Sequence, residues 1–185
     1  MTKKAIGFII VLISLVLVSS LSANGPNSAG KDKSLVALTD SEIDHLTYMR
    51  EEEKLARDVY LTLSAHYETG IFINISESEQ RHMDALERLI VKYGLEDPVV
   101  NDDIGAFTNP DFAGLYEQLV ARGIADYCEA LQVGIDIERL DIDDINEALI
   151  DIEAQDLERV LNNLLLGSEN HLNAFTGQYE ANHCE

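Results

Sequence analysis

The sequence predicts an all-α protein: a four-helix bundle with a long connection and a short extra helix between its second and third long helices. Three observations carry this. Apolar residues recur at alternating three and four spacings over four long stretches. Strand signals are confined to one β-branched cluster, "IFINI" at residues 71–75. Capping and stopping residues bracket the periodic stretches. A chain of 185 residues, 46% of them apolar, suffices for one such domain around one core.

The amino terminus stands apart from the bundle. Lys3 and Lys4 precede an apolar run over residues 5–21, and Ser22-Ala23-Asn24 follow it. Basic, apolar and small-residue regions in that order read as a secretory signal peptide over residues 1–23. The run of 17 residues is at the lower limit of what spans a bilayer, so an uncleaved amino-terminal anchor is the alternative to cleavage near Ser22 or Ala23. Either way the remainder is expected outside the cytoplasm: periplasmic, at the cell surface or extracellular. Residues 24–38 open with NGPNSAGKDK, the composition of a flexible linker.

The folded domain is expected over residues 39–180, with a short tail over 181–185. Thr39 and Glu42 fit a capping box with Leu38 as its apolar staple, and the first helix runs from residue 41 to about 68, with Gly70 as its stop. Its inward face carries Leu46, Met49, Glu53, Ala56, Tyr60 and Leu63. Glu51, and Glu52 with it, read as a solvated charge run beside Lys54 and Arg57, with Glu52 the substitute should Glu53 face outward. The second helix is expected over residues 75–93, with Ile75, Glu79, His82, Leu86, Leu89 and Tyr93 on one face and Gly94 as its stop. A turn-rich connection over residues 95–110 leads to a short helix over 111–122 that ends at Gly123. The third long helix, residues 125–150, places Leu131, Gly134, Glu138, Asp141, Ile145 and Ala148 in register. After a break at 151–154, the last helix spans 155–179 with Leu157, Leu161, Leu164, Ser168, His171 and Phe175 facing inward.

A formal charge of −21 makes nucleic acid and anionic membrane poor partners and cations the natural ones. It equally suits plain solubility, so positions have to decide. Cys128 and Cys184 are too few for a disulfide framework; Cys128, inside a helical pattern, reads as a buried small hydrophobe rather than a partner for Cys184. The absence of any Cys-x-x-Cys pair removes thiolate zinc ribbons and thioredoxin-like chemistry.

The inward faces carry the chemistry, because an unpaired carboxylate in an ordinary core costs several kcal/mol. Here Glu53, Glu79, His82, Glu138, Asp141 and His171 share the registers of core residues and come from all four long helices. Residues three apart on a helix lie within about 60° of one another, so Glu79 and His82 can grip one ion side by side. Glu79 has a rival reading, since Ser76-Glu-Ser-Glu79 is itself a capping box; Asn74 and Glu77 offer the same service earlier. His45, His66 and His183 read as surface residues.

Three stretches resemble the ferritin-like di-iron superfamily, in particular rubrerythrin-type and related exported ferritin-like domains, among them a family labelled only as a domain of unknown function. They are Glu53-Lys-Leu-Ala-Arg-Asp-Val-Tyr60, similar to the first-helix ligand glutamate with a tyrosine seven residues on; Glu79-Gln-Arg-His82, similar to the second-helix Glu-x-x-His; and "NNLLLGSENHLNAF" over residues 162–175 of the last helix. The resemblance covers roughly residues 39–179. It implies a ferritin-like fold and two iron ions, with manganese or zinc as alternatives, that react with dioxygen or peroxide. The last helix departs from the pattern. Ser168 stands where a glutamate would precede His171, and Glu169, one residue off, would reach the site only through a π-bulge. The preferred reading completes the set with Glu138 and Asp141 of the third helix.

The expected activity is therefore that of a ferroxidase or peroxidase, dependent on an external electron donor for turnover, in a monomer or homodimer. The alternative is a helical bundle that binds metal, or a protein partner, without redox chemistry.

Overall fold

The structure is a computed structural model that describes residues 37–184; the expected signal segment and most of the expected linker lie outside the described residues. Five helices follow one another: α1 (Asp40–Tyr67), α2 (Gly70–Tyr93), α3 (Pro110–Gly123), α4 (Tyr127–Ala148) and α5 (Gln155–Ala181). No strand occurs among the described residues. The four long helices pack in a circuit, α1 on α2, α2 on α5, α5 on α4 and α4 on α1, while α3 lies against α1 and α4.

Two glutamates of α1 hold other helices in place. Glu42 closes the capping box, its Oε2 accepting from the Thr39 amide at 2.8 Å while the Thr39 hydroxyl accepts from the Glu42 amide at 3.2 Å. The other oxygen of Glu42 accepts from the amides of Glu153 and Ala154 at 2.8 and 2.7 Å. α5 has no side-chain cap of its own, so this carboxylate fixes the approach to its amino end. Glu51 does the same for α3, accepting from the amides of Thr108 and Asn109 at 2.6 and 3.1 Å. Asn109 caps α3 and Pro110 occupies its first turn, where a missing N–H costs nothing.

The expected solvation of Glu51, Glu52, Lys54 and Arg57 is corrected: all four are buried, Lys54 completely. The connection over residues 94–109 covers this face. Arg50 makes a bidentate pair with Asp97, and Arg57 meets Asp102 at 2.8 Å. Lys54 donates to the Asp103 carbonyl at 2.9 Å and lies 4.6 Å from the Phe107 ring centroid. Asp58 gathers Lys54 Nζ at 2.5 Å, Arg57 at 2.7 Å and the Gly105 amide at 3.0 Å. Charge therefore marks a second packing surface on α1, not a solvent face.

α2 also differs from expectation, starting at Gly70 and taking in the whole "IFINI" cluster. Phe72 packs within 5.7 Å of the Phe175 ring and 6.4 Å of the Tyr60 ring, and Ile75 is buried beside them; this burial overrides local β-preference. The chain reverses at Glu68, with φ of 51°, rather than at Gly70. Asn74 and Ser76 consequently lie inside the helix, so Glu79 is no capping residue.

The reading of Cys128 as an unpaired core residue is corrected as well: it forms a disulfide with Cys184. The link fixes the chain end beyond α5, which the sequence presents as a free tail, to the first turn of α4. One apolar cluster, including Val59, Tyr60, Phe72 and Phe175, fills one end of the helix circuit. A second, including Met49, Leu86, Ile145 and Leu161, fills the other. The polar registers fall between them.

Candidate metal centre

The six residues expected from the sequence converge in that middle layer, and all are buried. Helix register explains this. Glu53 lies between Met49 and Ala56 on α1, Glu79 and His82 between Ile75 and Leu86 on α2, and His171 between Leu164 and Phe175 on α5; each shares the face of its apolar neighbours.

Glu79 is at the middle of the set. Its Oε2 lies 2.8 Å from His82 Nδ1, and its Oε1 lies 2.8 Å from His171 Nδ1. His82 Nδ1 also lies 3.1 Å from Glu53 Oε2, and His171 Nδ1 lies 3.5 Å from Glu138 Oε2. The two imidazoles stack with centroids 5.6 Å apart. Two groups thus have donor atoms converging within 4.8 Å: Glu53, Glu79 and His82, and Glu79, Glu138 and His171. Asp141 lies alongside, its Oδ2 accepting from the Ser168 hydroxyl. Tyr60, from α1, donates to Glu138 Oε1 at 2.7 Å. Glu169 is on the exposed face of α5, as is His66 on α1.

Burial and the charges of neighbours shift the titration of the whole set. Burial raises the Glu53 and Glu138 carboxyls to about 8, in Glu53 against the pull of His82 and in Glu138 with the help of neighbouring Glu79. Burial also opposes the charge on Glu79, but hydrogen bonds from His171 and His82 outweigh it and hold this carboxyl to about 2. For His82 and His171, burial disfavours the cation, yet Glu53 and Glu79 lift the one to about 11, and Glu138 and Glu79 lift the other to about 10.

Two buried donor atoms support a fit to metal ions: Glu53 Oε1 and Asp141 Oδ1 lack a hydrogen-bond partner. Carboxylates with two imidazoles form an oxygen and nitrogen donor set suited to iron, manganese or zinc. The residues present therefore fit a pair of such ions.

Two features differ from the sequence reading. Glu52, expected in the solvated charge run and as a ligand only in place of Glu53, is buried together with Glu53, next to Asp141 and Asp144. Gly167, one turn before His171 on α5, leaves the space that the His82 ring occupies, and nothing in its neighbours announces this.

The family described as an uncharacterized protein domain, DUF2202, matches residues 42–185. The chain belongs to that family. Among DUF2202 relatives, uncharacterized protein MJ0754 of Methanocaldococcus jannaschii is 49% identical over 138 residues, 75% of each chain. The crystal structure of hypothetical protein MJ0754 from Methanococcus jannaschii DSM 2661 superposes with a TM-score of 0.79 at 44% identity, over 85% of this chain and 87% of that one. A DUF305 fragment from Deinococcus radiodurans superposes at 0.58 and 15% identity, over 79% of this chain and 99% of that one; this likeness concerns the fold alone.

Proposed function

We propose that this DUF2202 protein is an exported, ferritin-like four-helix bundle that binds two iron ions, with manganese or zinc as alternatives. In this reading it reacts with dioxygen or peroxide as a ferroxidase or peroxidase. The observation that carries the reading is the double approach of Glu79, one oxygen 2.8 Å from His82 and the other 2.8 Å from His171. A carboxylate so placed could serve both groups, each of which adds one imidazole and one further glutamate.

Glu53, Glu79 and His82 would hold one ion, and Glu79, Glu138 and His171 the other, with Asp141 beside them. Iron held by these residues would supply the electrons that reduce the oxidant. The chain's own residues set the conditions. Tyr60 orients Glu138, and Ser168 orients Asp141. The apolar clusters at either end exclude water and so strengthen every interaction among the charges. Metal uptake would displace any protons on His82 and His171, so affinity should rise with pH. An external donor returns electrons if the protein turns over. Export is supported by the order of the first 24 residues and by the Cys128–Cys184 disulfide, a bond that persists in oxidising compartments.

Metal analysis of protein purified without chelator, then anaerobic iron(II) loading and exposure to oxygen, tests the proposal. Two irons per chain with a ferric charge-transfer band support it. Tight zinc without oxidation moves the assignment to a non-redox metal protein. No stoichiometric metal in wild type sinks both.

A further inference from the structure

α3 contributes no residue to the two groups of candidate ligands, yet it walls a cavity that opens onto them. Between α1, α3 and α4 lies a space of about 150 Å3. Leu55, Ala56, Leu115, Leu119, Ile137 and Leu140 form its sides, and Glu52, Glu53, Glu79, Glu138 and Asp141 close its inner end. Leu115 and Leu119 stand four apart and so share one face of α3. Leu140 is 39% exposed and lies at the outer rim, beside half-buried Asp136.

The walls decide what this space can hold. A buried water needs two to four polar partners, which only the carboxylates of the inner end supply; the leucine, isoleucine and alanine side chains of the sides offer none. An empty space forfeits the dispersion contacts of its lining. A cavity of comparable volume, lined by leucine, isoleucine and phenylalanine in another protein, stays dry and takes up benzene. Dioxygen alone would leave most of such a volume unfilled.

We propose that this cavity binds an uncharged, apolar organic molecule about one aromatic ring in size, seated with one edge against the carboxylates of the candidate metal centre. The inference goes beyond the proposed metal chemistry, and binding of the ring does not depend on it.

The test is a titration of the purified protein with benzene, followed through the methyl carbon–proton spectra of Leu115, Leu119 and Ile137, with xenon and benzoate in parallel. Saturable methyl shifts with benzene, none with benzoate, whose charge the carboxylates repel, and loss of the benzene shifts in Leu119→Trp are expected. Leu140→Trp, at the exposed rim, gives the same loss should the first variant fail to fold. Absence of saturable shifts in wild type, shifts with xenon only, or shifts that persist in both filled variants overturn the proposal. Metal content is measured on the same samples. A protein that takes up benzene but no metal upholds this inference while the metal reading fails, and the reverse outcome separates them equally well.

Discussion

Gly167 on α5 faces His82 on α2 so closely that a methyl carbon on the glycine would stand 2.5 Å from the imidazole Nε2. The missing side chain is what lets the imidazole stack on His171 and point Nδ1 at Glu79 and Glu53. Gly167→Ala should push His82 away from those carboxylates and weaken metal binding, while Gly177→Ala, with open space around its position, should leave it unchanged. Outer residues that orient metal ligands typically matter about 10- to 100-fold in affinity, and a drop of that order is expected here. Competitive titration with a chromophoric chelator measures it; equal affinities for the two variants would remove the role assigned to Gly167.

Glu79 belongs to both candidate groups, whereas Glu53 and Glu138 belong to one each. Glu79→Gln should therefore lower the metal content at both positions. Glu53→Gln and Glu138→Gln should each spare one ion. Metal-to-protein ratios after dialysis check this, and identical ratios for all three variants would argue against two distinct ion positions.

Asp58 neutralises two buried cations, Lys54 and Arg57, and holds the Gly105 amide of the covering connection. Removing one partner from a buried ion cluster typically costs about 3–5 kcal/mol, since the remaining charges keep their desolvation penalty. Asp58→Ala should destabilise by that order. Replacing exposed Asp143 should change little, because a surface substitution without partners is usually within about 0.5 kcal/mol of neutral. Urea denaturation of the two variants gives the comparison.

The same cluster shows where sequence reading stops. The extents of α1 and α5, the short α3 and the six inward polar residues were legible because a helical period of 3.6 residues places them regardless of partner. The burial of Lys54 and Arg57 was not, because it depends on a connection that lies 40 to 50 residues further along the chain and has no periodicity to read. The early start of α2 was hidden for a related reason: Phe72 and Ile75 look like strand residues until Tyr60 and Phe175 are known to meet them. Cys128 and Cys184 are 56 residues apart, and their pairing depends on how α4 and α5 pack.

Glu42 links acid stability to helix packing. Burial works to raise its carboxyl, but the amides of Thr39, Ala154 and Glu153 and the Thr39 hydroxyl outweigh it and hold the group below its ordinary value of 4.5. The fold therefore favours the ionised form. Its contribution is present in full above the unfolded value of 4.5 and is lost as pH falls through the lower folded value. In Glu42→Gln one oxygen can no longer accept, so either the capping box or the amides before α5 lose their partner, at about 0.5–2 kcal/mol. Wild type should exceed this variant in urea midpoint at neutral pH, and the gap should close under acid because the carboxyl of the wild type has then lost its charge. A gap that stays constant on both sides of pH 4.5 would show that the charge of Glu42 contributes nothing beyond its shape.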